Sequence, residues 1–238
     1  MKTIIVSDIH NRVDWIEPTL SLLKYDNVIF IGDYFDDFGD THKDAENTAN
    51  WLKQSLQIPN RIHLMGTHDM WYMFKYSFLK VSGNSDGKRK TINKILSKED
   101  WEKLEPFYIV QNFYLTHAGI HPKLIKNNRI FNTVFIETKK AFNDIKNGNY
   151  SLWFGAGKSR RGYQQFGGIT WLDWNEEFVP IPNINQIVGH TTFYYPQVKH
   201  TENSKNYCLD TQNRHIGILE DGKFSWIETK DINSNIII

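Results

Sequence analysis

Three short apolar runs in the first third of the chain constrain its fold more than any other feature. They are "TIIVSD" (Thr3–Asp8), "NVIFIGD" (Asn27–Asp33) and "RIHLMG" (Arg61–Gly66). Unbroken runs of β-branched and apolar residues at this length read as buried strands. Helical stretches separate them. "DWIEPTLSLLKY" has Asp14 as a cap and Pro18 early in it, and "THKDAENTANWLKQSL" (Thr41–Leu56) starts on a threonine. Strand, helix, strand, helix, strand at this pitch requires parallel crossovers, and so an α/β layout.

Further along, the pattern predicts a helix from about Asp69 to Lys80, a loop over Ser82–Lys90 and a short helix at "KEDWEKL". "FYIVQ" and "FYLTHAG" read as a hairpin turning at Gln111–Asn112, and residues 130–147 as a helix. Residues 150–174 are rich in glycine and aromatics and read as a long ordered loop. Strands return at "NQIVGH", "YCLD", "HIGILE" and "KFSWIE". The apolar end "NIII" (Asn235–Ile238) fits a last strand or a partner contact. With no repeat, low-complexity tract or linker, one domain over residues 1–238 is expected.

Hydrophobic residues make up 40% and charged residues 23%, a globular balance. A net charge of +1 without charge blocks gives no ground for extended nucleic-acid or membrane binding. The single cysteine, Cys208, excludes an internal disulfide framework and a multi-cysteine metal site, and reads as buried filler. "MKTIIVSDIH" is too short an apolar start for a signal peptide, and no stretch reaches membrane-spanning length. A cytoplasmic location is the expectation. The eight tryptophans are read first as core packing.

The strand ends carry the chemistry. The first run gives Asp8 and His10. The second gives Asp33, with Asp36 close behind, and the third gives Thr67, His68 and Asp69. Later strands end in Thr116-His117-Ala118-Gly119 and Val188-Gly189-His190-Thr191. Loops at the carboxyl ends of parallel strands form the ligand crevice of α/β sheets. Aspartate and histidine gathered there suit a pair of divalent Mn, Fe, Co or Zn ions, and two such ions clamp an in-line displacement at phosphorus. Each motif alone is a common turn or a structural histidine. The series in order, each member at a strand end, points to a site.

"SDIH", "GDYFDD", "GTHD", "THAG" and "VGHT" resemble the motif series of the calcineurin-like metallophosphoesterases, over roughly Ile4 to Thr211. "GHT" followed by "CLDT" is similar to the phosphoprotein-phosphatase branch, which includes bacterial and phage enzymes. Nuclease members usually carry a histidine where this chain has Thr192. The resemblance implies a central β-sandwich of two mixed sheets flanked by helices, an α/β/β/α arrangement. It implies a two-metal phosphomonoesterase, most simply Mn²⁺-dependent with Fe, Zn, Ni or Co possible, that uses a metal-bridging hydroxide. By the resemblance, Asp8 and His10 hold the first ion, Asp33 bridges, and Thr67, His117 and His190 hold the second. His68 is the general acid and Asp36 orients it. The implied partner is a phosphorylated substrate, a phosphoprotein or a nucleotide-type phosphate.

Two departures matter. Position 67 carries threonine where the family has asparagine, so the oxygen ligand is shorter and the amide donor is gone. A weakened second metal site is expected. The family arginine after the second motif is absent from Asp36-Asp37-Phe38-Gly39. Arg12, or Lys158, Arg160 and Arg161 in "GAGKSRRG", are candidates to bind phosphate instead. "GKS" is not a P-loop, because Leu152 stands where that pattern needs glycine and no strand leads in. Trp153, Tyr163, Phe166 and Trp171 serve either to stack a ring or to pack. Two rival readings stay open: a dinucleoside-polyphosphate or RNA-end hydrolase, favoured by the aromatic loop, and a non-catalytic phosphate-binding module, motivated by Thr67.

Overall fold

The computed structural model describes residues 1–125 and 130–233. In chain order the elements are β1 (Lys2–Val6), α1 (Ile16–Ser21), β2 (Asn27–Phe30), α2 (His42–Ser55), β3 (Arg61–His63), α3 (Thr67–Phe74), α4 (Asp86–Ile95) and α5 (Lys98–Trp101). A hairpin, β4 (Tyr108–Val110) and β5 (Phe113–Leu115), leads to α6 (Ile130–Lys146). The rest is β6 (Asn185–Val188), β7 (Gln197–Thr201), β8 (Ser204–Cys208), β9 (His215–Glu220), β10 (Lys223–Glu228) and α7 (Thr229–Asn233).

The strands form two five-stranded mixed sheets, ordered β10-β9-β1-β2-β3 and β4-β5-β6-β8-β7. β1, β2 and β3 pair in parallel, as do β5, β6 and β8, while β9 and the edge strand β10 run antiparallel in the first sheet and the edge strands β4 and β7 in the second. Alternation along β2 explains the layering. Val28 and Phe30 face the helices, where Leu20, Ala45, Ala49 and Leu52 cover them. Ile29 and Ile31 face the other sheet and join Ile5, Leu64 and Leu219 against Leu115, Ile187 and Leu209. Each such side chain, fully buried, contributes about 1.5–3 kcal/mol. The second sheet's outer face is covered by Leu172, Trp174 and Phe178 of the connection between α6 and β6.

Local rules account for most element ends. Thr41 caps α2, accepting from the Lys43 and Asp44 N–H groups, and Asp44 returns a bond to the Thr41 N–H. Gln111 and Asn112, both left-handed, make the tight β4–β5 turn. Three expectations change and one strand was not foreseen. Asp14 does not cap α1, whose N-cap is Trp15 with no side-chain bond. The helix expected from Asp69 to Lys80 starts at Thr67 and stops at Phe74, because Lys75 takes a left-handed cap conformation. The loop expected over Ser82–Lys90 is helical from Asp86, because Ser85 accepts from the Lys88 N–H as an N-cap. β7 has no apolar run to betray it, since as an edge strand it is only half-buried. The "NIII" end lies outside the described residues.

Candidate metal centre and active site

The strand ends of both sheets converge on one crater. The chain turns sharply there: His10, Asn11, Asp33, Asp36 and His190 all have positive φ, between 47° and 68°. Non-glycine residues rarely hold this conformation, and they cluster at functional sites. The motif glycines have a steric reason. A Cβ on Gly66 would sit 2.1 Å from Asp33 Oδ1, and one on Gly189 would sit 2.0 Å from Asp8 Oδ2. Neither position admits another side chain while those carboxylates stay in place. Asp69 braces the same crossing by accepting from the N–H groups of Asp33, Tyr34 and Gly66 at 2.8–2.9 Å.

Two groups of potential ligand atoms meet here. Asp8, His10 and Asp33 form one and Asp33, His117 and His190 the other, with the atoms of each group within 4.8 Å of one another. Asp33 belongs to both. His10 Nδ1 donates to the Asp36 carbonyl (2.6 Å) and His117 Nδ1 to the Ile31 carbonyl (2.9 Å), which fixes each ring with Nε2 turned inward. His117 Nε2 lies 3.2 Å from Asp33 Oδ2 and 3.9 Å from Asp8 Oδ1. Thr67, 3% exposed, directs its hydroxyl to both Asp33 oxygens at 3.3 and 3.2 Å.

The electrostatics are those of a centre short of positive charge. Burial and the neighbouring Asp210 push the Asp8 carboxyl up to about 6. Burial would also raise Asp33, but His117 and His68 beside it hold it well below the usual range. Burial would lower His117, yet Asp33 and Asp8 push it up to about 10. A proton there supplies charge that the carboxylates otherwise lack. Burial, His117 and Arg160 hold His190 well below its ordinary value, so it is neutral, and its Nε2 is buried with no hydrogen-bond partner. Hard carboxylate oxygens, imidazoles and one orphaned ring nitrogen are the donor set a borderline divalent cation needs, with a cation taking the place of the His117 proton. The residues present fit such ions.

On the flank of the crater His68 meets Asp36, with Nδ1 to Oδ2 at 3.1 Å, and its ring lies edge-on to His10 at 5.2 Å. Burial alone would lower His68, but Asp33 and Asp36 raise it. Asp36 is contacted in turn by Tyr72, Asn84 and Lys88. Asn84 and Lys88 belong to the stretch read as a loop, and nothing in that string announces their role. The Ser85 cap was the signal that could have placed Lys88 on a helix.

The basic candidates separate. Arg160 reaches the crater: it donates to Thr191 Oγ1 (3.0 Å) and pairs with Asp173 (2.9 Å), and its Nε is buried without a partner. Arg12 is paired with Asp37 at 2.7 Å. Lys158 and Arg161 lie exposed on the outside of the same turn. Among the aromatics, Trp153 is buried, Phe166 stacks on His121 and Trp171 lies edge-on to His190, whereas Tyr163 stands fully exposed. Among the described residues no helix is long and apolar enough to cross a membrane.

A two-sheet α/β sandwich that gathers aspartate and histidine at confluent strand ends is the frame of a phosphoester hydrolase. The sequence profile of the calcineurin-like phosphoesterases matches residues 1–230, and the chain belongs to that family. Among solved structures it is similar to the cold-active protein-tyrosine phosphatase of a psychrophilic Shewanella species. The two share 16% identity and a TM-score of 0.58 over 95% of this chain and 80% of that one. A metallophosphoesterase from Sphaerobacter thermophilus matches at 14% identity and a TM-score of 0.50, over 96% and 87%. At these identities the likeness is one of fold. No curated protein matches the chain.

Proposed function

We propose that the protein is a two-metal phosphomonoesterase of the phosphoprotein-phosphatase type. The observation that supports this most is Asp33, one carboxylate shared by two ligand groups. Asp8, His10 and Asp33 would hold one ion, and Asp33, His117, His190 and the Thr67 hydroxyl the other. Mn²⁺ is our first choice, with Fe, Zn, Ni and Co as alternatives. Such ions, when bound, supply Lewis-acid polarisation of the phosphoryl group and an activated water at neutral pH.

The chain's own groups do the rest. Asp36 accepts a hydrogen bond from His68 Nδ1–H, and with Asp33 it favours the imidazolium form, so that Nε2 also carries a proton to give to the leaving oxygen. Proton donation from such a group contributes about 10²–10⁴-fold. Arg160, hydrogen-bonded to Thr191 next to His190 in sequence, offers its guanidinium to the phosphate oxygens in place of the missing family arginine. The substrate is a phosphorylated protein or a nucleotide-type phosphate. Tyr163, wholly exposed beside Arg161, favours a nucleotide as the second reading, because its ring is free to stack on a base.

The test is hydrolysis of p-nitrophenyl phosphate by metal-stripped protein titrated with Mn²⁺, with Asp33→Asn as blank. Saturable turnover that depends on Mn²⁺ and is lost in the variant supports the proposal. Full turnover in Asp33→Asn would sink it. Tight binding of two ions without turnover on any phosphoester would favour a phosphate-binding module.

A further inference from the structure

α4 begins in a string of turn-forming residues, yet its Lys88 is only 5% exposed. Lysine is almost never buried this far without partners. Here the ammonium has three carboxylate oxygens: Asp36 Oδ1 at 2.5 Å, and Asp40 Oδ1 and Oδ2 at 3.0 and 2.9 Å. Its donor capacity is used up.

The geometry around Asp36 gives this burial a purpose. Oδ1 accepts from the Tyr72 hydroxyl (2.6 Å) and Lys88, and Oδ2 accepts from His68 Nδ1 (3.1 Å) and Asn84 Nδ2 (2.6 Å). Two donors on each oxygen leave the carboxylate no free direction, so it cannot rotate away from the imidazole. Asp40, held by the same ammonium, accepts from Asn11 Nδ2 at 2.7 Å. Asn11 follows His10, whose ring borders His68. One buried cation thus joins the loop after β1, the loop after β2 and helix α4.

We propose that Lys88 is a positioning residue that locks Asp36, and through it His68, in the orientation from which His68 Nε2 protonates the leaving oxygen. Through Asp40 and Asn11 it ties the His10 loop to the same lock. This inference rests on the phosphomonoesterase reading. Lys88 acts through Asp36 and touches no reacting atom, so its loss falls most heavily where leaving-group protonation matters. That selectivity separates it from a residue that merely holds the fold.

The experiment compares kcat on phenyl phosphate, a poor leaving group, with kcat on 2,4-dinitrophenyl phosphate, which departs without a proton. Mn²⁺-loaded wild type, Lys88→Met, Lys88→Arg and His68→Asn are measured. Lys88→Met is expected to lose about 30-fold on phenyl phosphate and less than about 3-fold on the dinitrophenyl ester, a smaller version of the His68→Asn tilt. Lys88→Arg restores most of the loss. In metal-free protein the His68 Nδ1–H proton resonance, identified by its absence in His68→Asn, is protected from exchange in wild type and broadened in Lys88→Met. Should Lys88→Met fail to fold, Lys88→Met with Asp40→Asn removes the stranded charge and is expected to tilt the same way. Equal losses on both substrates, or none, beside a tilted His68→Asn overturn the Lys88 inference and leave the enzyme reading intact. A wild type that cleaves neither ester, or a flat His68→Asn, overturns the reading and the inference with it.

Discussion

Two buried aspartates that both neighbour His10 have opposite electrostatic lives. Asp36 is saturated from within the chain: Lys88, Tyr72, Asn84 and His68 all donate to it. Burial would raise its pKa, but these partners hold it below the ordinary carboxylate value. Asp8 accepts from the Ser7 hydroxyl and from the His190 N–H, but burial and the neighbouring Asp210 outweigh the nearby His117 and push its carboxyl up to about 6. The folded chain carries its own lysine at one aspartate and only histidines near the other. Divalent ions, if bound as proposed, would supply the charge that burial makes Asp8 need. In the proposed enzyme the contrast divides the site into an orienting part around Asp36 and a metal-binding part around Asp8 and Asp33.

The sharpest way to break this contrast is Asp33→Asn, which removes the carboxylate common to both ligand groups. We expect at least about a 10³-fold loss of phosphatase activity, on the scale of removing a group that stabilises transition-state charge, together with loss of at least one ion by metal analysis. The fold should survive, because Asp33 packs against other polar groups of the crater and not in the apolar core. A variant that binds two ions and turns over normally would remove the distinction between a binding and an orienting half.

A second expectation concerns stability. If the Asp8–Asp33 region is completed from solution, Mn²⁺ should stabilise the protein against urea by about 2.7 kcal/mol at a hundred times its dissociation constant. A chelator should reverse the gain. Asp33→Asn should lose it, while Lys88→Met should keep it. No midpoint shift with any divalent ion would mean that the deficit at Asp8 is simply endured.

A third expectation tests the idea of internal completion at a distance from the crater. His63 is buried and satisfied on both nitrogens, by the Tyr34 hydroxyl at 3.0 Å and the Ser55 hydroxyl at 2.9 Å. Burial and the nearby Arg61 lower its pKa to about 3. Because the folded value lies below the unfolded one, its neutral form stabilises the fold fully above pH 6.5, and that stability is lost as pH falls from 6.5 toward 3. The slope in that window is about 1.4 kcal/mol per pH unit, so pH 5 should cost roughly 2 kcal/mol. Urea unfolding of metal-free wild type and His63→Asn at pH 7.5 and pH 5 isolates the term. A wild-type loss no larger than the variant's would contradict it.

The same division governs what the sequence could disclose. The candidate binding half was legible because each proposed ligand directly follows a buried strand: Asp8, Asp33, His117 and His190 stand at the ends of apolar runs, and the parallel order brings such ends together. The two-sheet architecture came through the family resemblance, since apolar runs alone predicted one open α/β sheet as readily as two. The orienting half was hidden. Lys88 meets Asp36 across 52 positions of chain, and no local pattern marks a lysine for burial. Asn84 sits in a string whose turn-forming residues conceal a helix cap. Among the basic candidates, only tertiary packing separates Arg160, set beside Thr191 and Asp173, from its exposed neighbours Lys158 and Arg161.

The smallest expected effect lies on the border between the two halves, at Thr67. Its hydroxyl now spends its hydrogen bond on Asp33, the shared ligand. It can serve a cation only through its remaining lone pairs, and it has no amide to reach a phosphate. Thr67→Asn should tighten the second, weaker ion about tenfold, at the low end for changes close around a metal, and lower KM for phosphate esters with little change in kcat. Thr67→Val keeps the shape but removes the oxygen, and should release the second ion while retaining the first. Calorimetric titration with Mn²⁺ resolves the two steps. Identical second-site affinities in wild type, Thr67→Asn and Thr67→Val would mean that position 67 belongs to the orienting half, as a brace on Asp33, and that the departure from the family's asparagine leaves metal binding untouched.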